Sequence, residues 1–177
     1  TGFLQAAKAV EKVTKKETPP PGTINFVGKN VVATARGTFT KWSITKSSFD
    51  LNDLEKSVVE IEVDVASIDT KNKRRDKHLR TPDFFDVEKY PTATLKIYSI
   101  IPDKNTKTYS AKIDFNLHGI KKTYAVLNFK IVQENPIKVE GKFTFNRIDF
   151  KIGGPKGRNP MTPKEDIPIT FSATLPK

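Results

Sequence analysis

Apolar and polar positions alternate with period two over most of this chain after Gly22. In "VVEIEVDVASI", Val59, Ile61, Val63 and Val65 share one face, while Glu60, Glu62 and Asp64 share the other. "YSAKIDFNLHG" repeats the pattern with Tyr109, Ala111, Ile113, Phe115 and Leu117 on one side. "KVEGKFTFN" groups Val139, Gly141, Phe143 and Phe145, and "IPITFSATL" groups Ile167, Ile169, Phe171, Ala173 and Leu175. "TATLKIYSI" and "TYAVLNFKIV" carry apolar residues on both faces. With "TINFVG" and "ARGTFTKWSI" included, the pattern predicts about eight strands. One wet face per strand favours an antiparallel sheet. About eight such strands suffice to close a barrel without free edges. The expected fold is therefore all-β, an eight-stranded antiparallel barrel with a short helical insertion. A two-sheet sandwich has the same periodicity and stays open as the rival.

Punctuation between the runs fits short connections. "PDKNTKT" and "QENP" read as hairpin loops, and Gly119 breaks a strand in "HGIKK". Two stretches do not read as strands. Gly153–Pro168 contains four prolines and three glycines and reads as a long loop, either over a barrel mouth or on the open surface. Asp69–Lys89 contains "KNKRRDKHL", a short helix with Asp69 or Thr70 as its cap. Residues 1–21 read as a basic N-terminal tail or linker. A helix over Leu4–Lys15 is expected there, ended by Pro19-Pro20-Pro21. Residues 22–177 form the expected domain.

Composition narrows the chemistry. The 177 residues fit one domain with a tail. Twelve Phe against one Met place bulky aromatic rings inside. No apolar run approaches the ~18 residues of a membrane-spanning helix. There is no cysteine, so disulfides, thiolate nucleophiles and thiolate metal sites are excluded. The formal charge of +11 suits anionic partners such as a lipid headgroup or an anionic membrane surface, and it also serves solubility.

The densest charge lies in "RRDKHLRTPDFFDVEKYP", Arg74–Pro91. Asp76 sits among Lys71, Lys73, Arg74, Arg75, Lys77 and Arg80, where it is expected to pair with an arginine. Catalysis finds no footing there, because Asp76 and His78 have no neighbouring serine. His78 and His118 lack a third metal ligand at any informative spacing. No catalytic residue and no metal site are expected. Nucleic acid is not an expected partner, since basic and acidic residues alternate along the strand faces. A barrel interior rich in Phe, Val and Ile is either filled as a core or left hollow for an apolar ligand. In both cases Phe84 and Phe85 pack at or under the mouth.

"SIDTKNKRRDKHLRTPDFFDVEKYPTATL" (Ser67–Leu95), "LHGIKKTYAV" (Leu117–Val126) and "FTFNRIDFKIGG" (Phe143–Gly154) together resemble the YceI-like family. The resemblance spans roughly Gly22–Leu175. It implies a lipocalin-like eight-stranded barrel around a long cavity, without catalysis. It further implies binding, sequestration or transport of an isoprenoid-type lipid in a periplasmic or secreted mature protein. No cofactor is implied beyond a bound isoprenoid lipid or quinone. The filled barrel acting as a surface or protein-interaction module stays as the alternative. Whether two chains pair is left open, with a dimer among the options.

Carried over residue by residue, the resemblance makes Arg75, Asp76 and His78 a polar trio beside the aromatic pair Phe84–Phe85. His118 marks the later strand junction, and Arg147 and Asp149 the last motif. These six polar residues are expected either as structural pairs, Arg75–Asp76 and Arg147–Asp149, or close to a ligand headgroup. Phe39, Trp42, Phe84, Phe85, Phe115, Phe143, Phe145 and Phe171 are the candidate ligand-binding wall. The first strand, "GTINFVGKNVV", lacks the histidines with which family members often begin, so the resemblance does not carry the cavity entrance.

Overall fold

The computed structural model describes residues 18–154 and 163–177. The helix expected over Leu4–Lys15 and the centre of the Pro/Gly-rich loop lie outside these residues. The strands are β1 (Gly22–Lys29), β2 (Thr34–Phe39), β3 (Trp42–Ser47), β4 (Val59–Asp64), β5 (Ile68–Asp69), β6 (Thr92–Pro102), β7 (Tyr109–Leu117), β8 (Ile120–Glu134), β9 (Ile137–Asn146) and β10 (Asp166–Thr174). One short helix, α1 (Lys73–Leu79), lies between β5 and β6. The strands make one antiparallel sheet in the order β3-β4-β6-β7-β8-β9-β10-β1-β2-β5.

The sheet is an open, curled half-barrel. It turns through 301° and its edges stay 11 Å apart. The expectation of a closed eight-stranded barrel is therefore corrected, and the continuous sheet also replaces the two-sheet rival. Two expected strands each break in two. "ARGTFTKWSI" bends at Thr40–Lys41 and yields β2 and β3. "VVEIEVDVASI" breaks where the Asp64 carboxylate accepts the Ala66 N–H (3.0 Å) and tightens a 3₁₀ turn over Val65–Ser67. That break leaves β5 only two residues long. Edges 11 Å apart cannot hydrogen-bond, because paired strands lie about 4.8 Å apart. Arg80 instead ties the turn before β6 to the broken strand, donating to Ala66 O and Ile68 O at 2.8 Å each.

Inward faces follow the alternation read from the sequence. Val59 and Val63, Ala111 through Leu117 at every second position, Val139, Phe143, Phe145, Ile167, Ile169 and Ala173 are all buried. At the β7–β8 turn, His118 (φ 53°) and Gly119 (φ 72°) adopt the left-handed pair that a two-residue hairpin demands. A Cβ on Gly119 would also sit 2.6 Å from the Tyr90 ring.

Candidate functional site

The inward faces do not meet in the middle. They enclose a cavity of about 730 Å³ lined by residues of every long strand, α1 and the segments after it. Deep in the sheet the wall is apolar, with Ile100, Leu127, Phe129, Val139 and Leu175. Among the described residues, polar lining is confined to Lys29, Asn30, Asn72, Arg74, Arg75, His78 and Arg147. No acidic residue lines the cavity among the described residues.

Contacts gather these polar groups at one end. The Lys164 N–H donates to Lys29 O (2.6 Å), and Arg147 Nε donates to Pro163 O (3.0 Å) and Lys164 O (3.2 Å). The Gly153 N–H donates to Asp83 O (3.0 Å), and the Phe84 ring beside it meets the His78 ring edge-on at 4.9 Å. Among the described residues, the solvent-exposed lining residues are Lys29, Ala33, Asn72, Arg74 and His78, all from the β1–β2 hairpin or from α1 and its cap. The cavity therefore meets water at a cationic mouth and ends in hydrocarbon.

All eight aromatic candidates lie on the wall: Phe39, Trp42, Phe84, Phe85, Phe115, Phe143, Phe145 and Phe171. Phe115 packs against Phe143, Phe145 and Phe150 with centroids 5.9, 5.4 and 5.1 Å away. Phe39 meets Phe26 at 5.6 Å and Phe85 at 6.3 Å.

The polar candidates divide. Arg75, His78 and Arg147 line the cavity; Asp76, His118 and Asp149 do not. Asp76 is buried and accepts the Thr70 N–H (2.9 Å) and the Thr70 hydroxyl. Arg75 donates from Nε to Thr70 Oγ1 (2.8 Å) and from its terminal nitrogen to Thr70 O (2.9 Å). The expected Arg75–Asp76 pair is thus joined through Thr70. The helix cap is Asn72, whose side chain accepts the Arg75 N–H (3.0 Å), in place of Asp69 or Thr70. Arg147, only 3% exposed, does not pair with Asp149. Besides Pro163 O and Lys164 O it donates to Ile152 O (2.6 Å) and Gly154 O (2.8 Å). Burial lowers its pKa, with Glu165 opposing the shift. Asp149 accepts from the Tyr124 hydroxyl (3.1 Å). Burial, then this bond, pushes the Tyr124 pKa up to about 12. His118 Nδ1–H donates to Phe150 O (2.8 Å), and Tyr90 packs on its ring at 4.6 Å. No group of three or more metal-ligating side chains occurs among the described residues.

Residues 18–175 match the YceI-like domain. The chain belongs to the YceI-like family. A UPF0312 protein of Pseudomonas syringae pv. tomato is 33% identical over 147 residues, covering 80% of this chain and 74% of that one. Among solved structures, Burkholderia cenocepacia BcnA superposes with a TM-score of 0.76 at 21% identity, over 85% of this chain and 94% of that chain. A polyisoprenoid binding domain from Saccharophagus degradans, implicated in plant cell wall breakdown, superposes with a TM-score of 0.62 at 13% identity, over 88% and 94%. At these identities the structural likenesses establish the fold.

Within this YceI-like chain, sequence reasoning missed part of the lining. Phe26 shares the parity of Ile24 in "TINFVG" and was available from the alternation; it packs over Gly37, where a Cβ would sit 2.3 Å from its ring. Leu127 and Phe129 also line the cavity. They were hidden because β8 is apolar on both faces and its pairing with β7 shifts register between Ala111 and Ile113. Lys29 and Asn30 gave no signal in the sequence.

Proposed function

We propose that this YceI-like protein is a carrier that draws the chain of an isoprenoid-type lipid into its interior and sequesters or transports it, with no bond made or broken. The observation that carries the reading is the apolar hollow of about 730 Å³ whose polar lining, among the described residues, gathers at one end. Its size lies within the roughly 300–1,000 Å³ of small-molecule sites. It favours this reading over the alternative, a filled barrel serving as an interaction module. Each buried methylene is worth about 0.8 kcal/mol. Three isoprene units, roughly fifteen carbons, then supply on the order of 12 kcal/mol against association costs of about 4–15 kcal/mol. The likeness to a polyisoprenoid binding domain supports an isoprenoid over other apolar chains.

In this reading Phe39, Trp42, Phe84, Phe85, Phe115, Phe143, Phe145 and Phe171 hold the chain. Arg74, Arg75, Lys29 and His78 surround the headgroup. Asp76, His118, Arg147 and Asp149 act on the scaffold. YceI-family homologues are typically periplasmic or secreted, and we place this protein there too. Loading takes place at an anionic membrane surface. Val31 and Val32, 81% and 68% exposed, form the β1–β2 hairpin tip beside Lys29 and the mouth. Basic side chains of α1 add the attraction for anionic headgroups. Mass spectrometry of lipid extracted from the natively purified protein tests the function. A near-stoichiometric isoprenoid is expected; protein that carries no lipid and takes up none from vesicles refutes the carrier.

A further inference from the structure

The sheet runs on past the end of the hollow. Tyr109 on β7, Ile131 on β8 and Ile137 on β9 share the inward parity of the lining residues and pack against the core, yet none of the three lines the cavity. Side chains therefore close the hollow at the end away from the mouth. The lining reaches Val139 on β9 and Leu175 just past β10, but it stops at Phe129 on β8. Phe129 is paired across the sheet with Tyr109 on one side and Gly141 on the other, and Gly141 in turn with Phe171. Phe171 faces Ile24, which lies five residues along β1 from Lys29 at the mouth, roughly 17 Å at the rise of a strand.

Phe129 is 6% exposed, and the half-buried Tyr109 stacks on it with ring centroids 5.2 Å apart and planes 19° from parallel. The pair is joined both by the strand ladder and by the rings, so Phe129 loses that contact if it swings aside. On its other flank Gly141 leaves the space that the rings occupy: a Cβ there would sit 2.4 Å from Phe171 Cζ and 2.7 Å from Phe129 Cβ.

We propose that Phe129, backed by Tyr109, is the floor of the hollow and the residue that sets how long an apolar chain the protein takes. Carbons above the floor are buried; any beyond that number stay at the mouth in water. This inference rests on the carrier reading and adds selection by length, whatever headgroup the chain bears.

The test titrates the full chain, stripped of lipid, with all-trans prenyl alcohols, each one isoprene unit longer than the last, in competition with a fluorescent prenyl probe. Wild-type affinity is expected to rise by up to about four-fold per buried methylene and then to level off at one length. Phe129→Ala removes a ring about the size of an isoprene unit from the floor, and levelling is expected about one unit later. Ala173→Phe adds the same ring at the closed end, where Ala173 lines the hollow on β10, and levelling is expected about one unit earlier. Opposite shifts separate the floor from a loosened fold, which weakens every length alike. Should Phe129→Ala fold poorly, Ala173→Phe carries the test alone, and an unmoved levelling point there overturns the proposal. Wild-type affinity that climbs without levelling overturns it too, and in both of these cases the carrier stands. If no alcohol binds at any length, the carrier reading falls and the floor with it.

Discussion

Ala93→Phe tests the hollow by the sign of its effect. Ala93 is 4% exposed, sits on β6 opposite Val63, and lines the cavity. In a filled core an added phenyl ring overpacks the interior and destabilises by about 1–3 kcal/mol. In a hollow the ring enters free space beside an existing apolar wall. Burying a Phe side chain is worth about 1.5–3 kcal/mol, less the side-chain entropy lost on ordering. The net expectation is stabilisation by about 1 kcal/mol, or roughly 2–4 °C in Tm for a domain of this size.

The same ring takes room from the ligand. Displacing about three methylenes removes about 2.4 kcal/mol of binding, close to a 50-fold rise in Kd. Urea and thermal unfolding of lipid-free protein measure the first effect, and competition with a fluorescent prenyl probe the second. Lipid must be removed beforehand, because bound ligand raises the apparent stability of the wild type alone. Destabilisation beyond 1 kcal/mol together with unchanged lipid affinity would refute the reasoning, since it would mean that β6 faces a packed interior.

Arg147→Met leaves four carbonyls without their donor, one of them at a buried bond and three at part-buried ones, and urea unfolding is expected to show a loss of about 1–3 kcal/mol. Tyr124 has a raised folded pKa, about 12 against 10.0, so its contribution is full below pH 10 and is lost as pH rises toward 12, where the unfolded chain ionises first. Urea unfolding from pH 9 to 12 should fall more steeply for the wild type than for Tyr124→Phe; parallel curves contradict the shift. Joint Val31→Asp and Val32→Asp replacement is expected to weaken sedimentation with phosphatidylserine vesicles at least ten-fold while the Kd for soluble prenyl probe stays within two-fold. Unchanged sedimentation would remove the hairpin tip from membrane docking.

Much of the fold was written in single-residue alternation. Period two in β4, β7, β9 and β10 identified the buried face residue by residue, and the aromatics placed on the wall by that parity lie on it. What alternation does not encode is which strands meet across a seam. The break at Thr40–Lys41 carries no Gly or Pro of its own, the nearest glycine being Gly37. The break after Asp64 depends on a carboxylate capping a turn two residues on, a local bond that leaves the pattern of side chains intact. The polar rim was less legible still. Charge pointed Asp76 toward its arginine neighbours, whereas the bonds run to Thr70, six residues upstream. Arg147 donates to four carbonyls of the segment after it, one bond buried and three part-buried, and not to Asp149.

That division follows from building a fold around a hollow. Side chains facing a cavity have no packing partner on one side and forfeit part of the dispersion energy that a dense core provides. The strand ladders and the rim must supply what the interior does not. The rim bonds fit this requirement: Arg147 fastens the loop after β9, Thr70 joins Arg75 to Asp76, and Arg80 holds the broken strand. Each joins segments that would otherwise be free to spread at the mouth. Wall residues such as Phe115 and Phe143 then carry less of the stability than their size suggests, and remain available to shape the hollow. Rim substitutions should therefore act first on unfolding and wall substitutions first on ligand affinity, which is why Arg147→Met and Ala93→Phe belong in one experiment.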